Sequence, residues 1–131
     1  MITDTLQKIR NYIAANGLDA GYQIGYFMLD DSRDAGVPVM IIRISGNGTN
    51  KVYMDKEQPS YEGIDAEIQL IDVRANTKAM YDRLSDIRAI FTKHDPSSGF
   101  VGSRVLSNIS QPAIMDDDRV MIRFILRVNE S

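Results

Sequence analysis

Two stretches of this sequence alternate between apolar and polar side chains, and this alternation constrains the fold more than any other feature. Between Ile64 and Leu70, the apolar residues are separated by Asp, Glu and Gln. Between Val120 and Val128, apolar residues again occupy every second position, with Met, Arg and Ile between them. Side chains of a β-strand point alternately to opposite faces of its sheet. Both stretches are therefore predicted to be strands with one face in a hydrophobic core.

Two other segments carry apolar residues at helical spacing. The first helix is expected to run from Thr3, a candidate N-cap, to Gly17, a candidate C-cap. The second is expected to begin at Asn76 or Thr77 and to end before Pro96. Polar residues occupy the other sides of both helices, which predicts that each helix lies on a sheet with one side in water. The apolar stripes are Ile2, Leu6, Ile9 and Ile13 in the first helix, and Met80, Leu84, Ile87 and Phe91 in the second.

The remaining β-like segments are shorter. Residues 37–45 are rich in β-branched side chains and predict a strand. The sequence Gly46-Asn47-Gly48 follows, and Asn-Gly is the strongest short signal for a hairpin. Residues 51–54 are then the expected returning arm of that hairpin, and a weaker β-like pattern covers residues 101–109.

The order of these elements predicts the fold class. Strands that are joined by hairpins or by a single helix favour a largely antiparallel sheet. The length of 131 residues suits one domain. We therefore predict a single α+β domain over residues 1–131, with a mixed, mostly antiparallel sheet of four to five strands and two helices packed on one face. The polar segments 30–36 and 55–63 are expected to be surface loops.

Catalytic and metal-binding signatures are scarce in the sequence. It has no cysteine and one histidine, His94, which excludes disulfides, Cys-ligated zinc and multi-histidine sites. It also lacks a nucleophile elbow and a phosphate-binding glycine loop. Segment 30–36 resembles a calcium loop only faintly, because Ile41 stands where the closing glutamate belongs. No metal and no cofactor is predicted, and a binding or structural role is favoured over an enzyme.

Composition limits the partners. No apolar run approaches the roughly 20 residues that span a bilayer, and no signal-peptide core is present, so we expect a soluble protein made in a cytoplasm. The formal net charge of −3 disfavours binding to nucleic acid through phosphate neutralisation. Arginines outnumber lysines by ten to five, a ratio that is typical of protein–protein contacts.

Five charged residues are candidates for such contacts. Asp72 and Arg74 close a strand of the predicted core just before the second helix, either as a solvent-facing strand end or as an anchor for a subunit contact. Arg123 and Arg127 share one face of the last strand with a Met and an Ile. That mixture is typical of interfaces, although arginine stems lying over a half-exposed sheet would produce it too. Arg119, at the start of the same strand, completes the set.

Three parts of the chain together resemble a known family. The strand from Ile68 ends in a Val73-Arg74 step before a small polar cap and a helix. The first helix ends at Asn16-Gly17-Leu18, and an acidic, proline-containing turn precedes the last strand. In element order and length, the chain resembles the tail terminator proteins of long-tailed bacteriophages, which are also known as minor capsid or head–tail joining proteins.

This resemblance implies a homohexameric ring that sits on the tail tube, halts its growth and offers its other face to the head connector. The implied partners are further copies of the chain, the tail tube protein and the head connector protein. The implied location is the virion tail, after assembly in the host cytoplasm. Loops 30–36 and 55–63 would supply axial contacts.

The acidic turn formed by Asp116, Asp117 and Asp118 has two interpretations. Consecutive carboxylates do not converge on one point, so a charged turn is favoured over a magnesium site. In a ring, these residues would face the lumen and let DNA pass without sticking, because like charges repel. No sequence-specific contact with nucleic acid is expected.

Other functions remain open from the sequence. The chain could be another head–tail connector or a tail tube subunit. It could instead be a small bacterial domain that holds a ligand between a helix and the sheet, which would need a well-formed apolar pocket. An enzyme would require a catalytic cluster around His94.

Overall fold

The computed structural model describes residues 2–26, 38–52, 61–93, 95, 98–100, 102–115 and 118–130. Two helices and six strands make up the described part, and a short 3₁₀ turn, Arg74–Asn76, leads into the second helix. In chain order the elements are α1 (Ile2–Ala15), β1 (Gln23–Tyr26), β2 (Val39–Val52), β3 (Tyr61–Val73), α2 (Thr77–Thr92), β4 (Gly102–Val105), β5 (Ala113–Ile114) and β6 (Arg119–Glu130). No helix within these ranges is long and apolar enough to cross a membrane.

The strands form one open sheet in the order β1-β2-β3-β6-β4, and β5 also pairs with β6. Strand β1 runs parallel to β2, whereas all other pairs are antiparallel. The predicted α+β class and the mixed, mostly antiparallel sheet are confirmed. Its strands number six because the sheet includes β5, a pairing of only two residues that leaves little trace in the sequence.

Both helices cover the same face of the sheet, as predicted. The buried side chains of the two apolar stripes pack against even-numbered positions of β2, β3 and β6, and the two helices also touch each other. These side chains are Leu6, Ile9 and Ile13 of α1 and Met80, Leu84, Ile87 and Phe91 of α2. The rings of Tyr12 and Phe91 meet edge to face, with their centroids 5.3 Å apart. Gly17 ends α1 with φ at 71°, a left-handed conformation that favours glycine and confirms the predicted C-cap.

The predicted hairpin at Gly46–Gly48 is wrong. Strand β2 continues through these residues, and its register with β3 shifts between Ile44 and Thr49. Ile44 pairs with Ala66, and Thr49 pairs with Ile64, so four residues of β2 lie opposite one residue of β3. The glycines therefore serve an irregular bulge rather than a reversal. The returning strand is β3, which begins at Tyr61 inside the predicted loop 55–63.

Strand β3 lies in the centre of the sheet, between β2 and β6. Leu70 belongs to the core under the helices, and its neighbour Ile71 belongs to a second apolar cluster. Both faces are buried at this point, which explains why the alternation of the sequence breaks there. Segment 30–36, residues 55–60 and His94 lie outside the described residues.

Candidate interaction surface on the helix-free face of the sheet

The sheet has one face that no described helix covers, which we call the helix-free face. It is formed by the odd-numbered positions of β3 and β6 and of β2 as far as Arg43, since the even-numbered positions there lie under α1 and α2. Arg104 of β4 joins this face because it pairs with Arg127. One end of this face is apolar: Val39, Ile41 and Ile71 are buried there, and Met115 and Met121 pack against them. The other end is charged, and it contains Arg43, Asp65, Glu67, Gln69, Arg104, Arg123 and Arg127.

Glu67 is the buried centre of the charged end. Its side chain is 3% exposed, whereas those of Arg43 and Arg123 are 40% and 45% exposed. Arg43 donates to Oε1 from Nε and lies 3.0 Å from it through Nη2 as well. Arg123 donates from Nη1 to Oε2 over 3.0 Å, and the amide of Gln69 donates to Oε1. Both carboxylate oxygens are thus occupied, which offsets the free energy needed to remove the charge from water.

Glu67 and the two arginines that bind it, Arg43 and Arg123, are called the Glu67 clamp below. A second ion pair lies next to this clamp. Arg127 and Asp65 are directly opposite each other on β6 and β3. The Nε atom of Arg127 donates to Oδ1 of Asp65 over 2.7 Å, and Nη2 donates to Oδ2 over 3.2 Å. This bidentate hydrogen bond to the carboxylate raises the pKa of Arg127 above its usual value. The guanidinium is therefore held in a fixed orientation at the surface.

Arg104 occupies an unusual position beside this pair. It lies on β4 directly opposite Arg127 of β6, and its side chain is exposed. Like charges directly opposite in a sheet repel each other. Within the described ranges, the side chain of Arg104 has no hydrogen-bond or ion-pair partner. The charged end of the helix-free face therefore carries positive charge that this part of the chain does not neutralise.

The predicted contact residues fall into two groups. Arg123 and Arg127 share the helix-free face, as their spacing predicts. Arg74 lies at the end of β3, where it is 58% exposed and its Nε is 4.0 Å from Oδ1 of Asp118. Asp118 has a positive φ of 63° in the turn before β6, and its side chain is 79% exposed. Arg119 follows it and is 8% exposed.

The side chain of Asp72 is buried and forms hydrogen bonds within the subunit. Only 5% of the residue is exposed. Its Oδ1 accepts a hydrogen bond from the backbone amide of Val73 over 2.7 Å, and its Oδ2 accepts one from the side chain of Asn76 over 3.0 Å. The carboxylate thereby fixes the chain where β3 turns into α2. Its role in a subunit contact stays a prediction.

The other candidate sites are the acidic turn before β6, a metal site and a ligand pocket. Asp116 and Asp117 lie outside the described residues. Among the residues that are described, no group of three or more His, Cys, Asp or Glu side chains is placed to hold a metal ion. An open cleft of about 350 Å³ lies beside α1 and the segment that follows α2. It is lined by Lys8, Asn11, Tyr12, Ala15, Ser98 and Gly99, and does not lie between a helix and the sheet.

Sequence reasoning missed the acidic half of this surface. Asp65, Glu67 and Gln69 alternate with apolar residues, a pattern that predicts which face of the strand enters the core but not what the polar face contacts. A signal exists only once the register is known, because Arg43 pairs with Glu67 and Arg127 with Asp65 across neighbouring strands. Opposite charges at paired positions would then predict the two ion pairs.

Comparisons with known proteins give a consistent picture. A chain in a structure described as "Virion of native gene transfer agent (GTA) particle" has the same fold, with a TM-score of 0.53 and 15% identity, over 94% of this chain and 88% of that one. A second solved chain matches with a TM-score of 0.54 and 12% identity, over 95% of this chain and 94% of that one. No curated protein matches the sequence. A family model described as "Phage tail termination protein" matches residues 2–131. The resemblance seen in the sequence is thus confirmed, and the chain belongs to the phage tail termination protein family.

Proposed function

We propose that copies of this chain assemble into a closed ring, expected to be a hexamer, that caps the phage tail tube, stops its polymerisation and presents its opposite surface to the head connector. Membership in the family makes the chain a structural component of a phage virion that is associated with the tail. The proposal adds the ring, the arrest of the tube and the two partners. It assigns the chain no catalytic step.

The composition of the helix-free face is the observation that carries this proposal. Half-exposed arginines surround a buried carboxylate at one end, and methionines pack on buried isoleucine and valine at the other. Arginine and methionine are enriched at protein interfaces, and the ion pairs with Glu67 and Asp65 hold the arginine side chains before a partner arrives. A solvent-facing sheet does not require that degree of order.

A ring explains how such a surface can stop growth. Contacts that run head to tail either close into a ring or continue as a filament. A closed ring has no free end in its own plane, so it adds a single layer to the tube. In this proposal Arg123 and Arg127 contact a neighbouring subunit, while Arg74 and Arg119, at the β3–β6 end of the sheet, lie nearer the tube. Asp72 supports that end from inside through its contacts with Val73 and Asn76.

The acidic turn before β6 has a proposed place in the ring as well. Asp118 is largely exposed and directly follows Asp116 and Asp117. Carboxylates that line a lumen repel DNA phosphates, so DNA would pass without binding. The proposed site of assembly is the cytoplasm of the bacterial host.

Electron microscopy and a tube-assembly assay test the proposed function together. Purified protein, mixed with short tail tubes, should appear as a ring of uniform diameter on one tube end. When tube protein is added afterwards, capped tubes should stay short, whereas uncapped control tubes should lengthen. If this chain itself polymerises into tubes, it is a tube subunit. If tubes grow normally in its presence, the proposal is wrong.

A further inference from the structure

We infer that the helix-free face of one copy receives the outer surface of α2 from a second copy, and that Asp82 and Asp86 of that copy supply carboxylates to Arg104 and its neighbours. The inference rests on the proposed ring and names the contact between its subunits. Asp82 and Asp86 are exposed and lie one turn apart on α2.

An acidic partner follows from the charges of the helix-free face. Its charged end holds four arginines, at positions 43, 104, 123 and 127, against the two carboxylates of Asp65 and Glu67. Arg104 faces Arg127 across the strands, and no described residue forms a hydrogen bond or ion pair with its side chain. A carboxylate from outside would turn this repulsion into an attraction. The face is therefore prepared for a negatively charged surface.

The overall charge of the chain favours a second copy as the source of that surface. The chain has 15 basic and 18 acidic residues, yet the charged end of this one face is basic. The acidic excess must lie elsewhere on the same molecule. Two copies can then meet through unlike charges, whereas two identical basic faces repel each other.

The outer surface of α2 offers such carboxylates. Asp82 and Asp86 occupy its centre, and Ala79, Ser85 and Ala89, which are exposed as well, are small enough to let another surface approach. The nearby lysines lie at the two ends of α2: Lys78 is in its first turn, and Lys93 directly follows its last residue. The nearby cation Arg83 is turned away, because its Nη1 donates to the carbonyl oxygens of Leu18 and Ala20 over 2.8 Å and its guanidinium lies over the ring of Tyr22.

The positions of the two surfaces suit a ring. Helix α2 packs on one face of the sheet, and the helix-free face is the other. Each copy can therefore receive one neighbour and be received by another, which is the head-to-tail arrangement that closes into a ring. A symmetric dimer would use the same surface twice and would leave no site for a third copy.

Charge reversal tests the contact in solution. The wild-type protein should associate at low ionic strength and should dissociate near 1 M salt, where the Debye length falls to about 3 Å. R104E and the double variant D82R/D86R should each weaken self-association by about 10- to 100-fold, measured by sedimentation. Combining R104E with D82R/D86R should restore most of the affinity, because the helix-free face then carries the carboxylate and α2 of the neighbouring copy carries the arginines. Arg10→Glu, an exposed reversal on α1, is the matched control and should change nothing.

Stability measurements separate the contact from folding. Arg104→Glu places a carboxylate opposite Arg127, so the melting temperature should stay equal or rise although association is lost. If Arg104 instead stabilised the subunit, R104E would lower both the melting temperature and the self-association. This opposite response distinguishes a lost interface from a damaged subunit.

Cross-linking tests the head-to-tail geometry. The chain has no cysteine, so engineered thiols react alone. R104C protein mixed with D82C protein should form covalent dimers with a short bismaleimide, whereas either protein alone should not. A protein that carries both substitutions should give a ladder of higher oligomers. Dimers from R104C alone would indicate a symmetric contact and would overturn the inference.

Three further results would overturn it: a wild-type protein that stays monomeric at low salt, a reversal at Arg104 that leaves association unchanged, or a combined variant that regains nothing. If R104E abolishes binding to the tube protein but leaves self-association unchanged, the helix-free face binds the tube rather than a second copy. The proposed function fails separately, since a protein that leaves tubes growing is no terminator even if its copies associate as described.

Discussion

The Nη1 atom of Arg123 lies 3.0 Å from Oε2 of Glu67, a carboxylate that is almost completely buried on the sheet face opposite both helices. Arg43 reaches the other oxygen of the same carboxylate from the neighbouring strand. The buried carboxylate of Glu67 thereby fixes the half-exposed guanidinium groups of Arg43 and Arg123 on the helix-free face. We interpret this arrangement as a prepared interface, because its order exceeds what a solvent-facing sheet needs.

Removing the anion should destabilise the subunit. Glu67→Ala leaves the donors of Arg43, Arg123 and Gln69 without their acceptor, and we expect a loss of about 1–3 kcal/mol in the free energy of unfolding. Glu67→Gln, which keeps the shape and one acceptor oxygen, should lose less. Urea unfolding measures both values. Equal stability of the wild type and the alanine variant would show that the clamp contributes nothing.

Asp72 should matter for folding before it matters for assembly. Asp72→Ala removes the acceptor for the Val73 amide and for the side chain of Asn76, so about 1–2 kcal/mol should be lost. Arg74→Ala, at an exposed position two residues away, is the control and should change stability by less than about 0.5 kcal/mol. Thermal melting of the two variants provides the comparison. A stable Asp72→Ala protein that fails to assemble would instead assign this residue to the interface.

Tyr12 should make the fold sensitive to alkaline pH. Burial, and then the hydrogen bond to Asp95 and its charge, raise the pKa of the Tyr12 hydroxyl above its ordinary value. The hydroxyl lies 3.1 Å from both the carbonyl oxygen of Ile90 and Oδ2 of Asp95. The neutral form is favoured in the folded state, so the stabilisation is complete below a pH of about 10 and is lost as the pH rises through the raised folded value.

Tyr12→Phe tests this dependence. The variant should be less stable than the wild type at neutral pH by about 1 kcal/mol, because the hydrogen bonds are gone. Above a pH of about 10, its stability should fall less steeply than that of the wild type. Unfolding curves recorded across this range give both slopes. Parallel curves would show that Tyr12 does not titrate within the fold.

Two glycines should respond differently to the same substitution. Gly17→Ala forces an alanine into a left-handed conformation at the end of α1, where φ is 71°, and should cost about 1 kcal/mol although the added methyl group meets no atom. Gly102→Ala is the matched control: its methyl group would make an ordinary contact with Asn129, 3.6 Å away. We expect its stability to be unchanged or slightly higher, as measured by thermal melting. A similar loss in both variants would contradict the backbone argument.

The sequence predicts elements whose pattern is local. The apolar stripe of α2, from Met80 to Phe91, and the alternation of β6 are visible without any knowledge of contacts, and the structure confirms them. The C-cap at Gly17 is equally local. Such signals determine the fold class because they state which face of each element must be buried.

Features that depend on register are hidden from the sequence. Gly46–Gly48 has the composition of a hairpin turn, but the pairing of Ile44 and Thr49 with β3 on either side makes it a bulge. Glu67 likewise looks like a solvent-facing residue until Arg43 and Arg123 are placed beside it. Pairing between distant strands follows from the packing of the whole core, so neither feature can be read from its own segment.

Tail length in the intact phage tests the central claim most directly. A phage that lacks this gene should produce tails of uncontrolled length that are not joined to heads, and the wild-type gene supplied in trans should restore tails of one length. Electron micrographs of the lysates give the length distribution and the fraction of joined particles. Tails of normal length attached to heads in the absence of the gene would contradict the account.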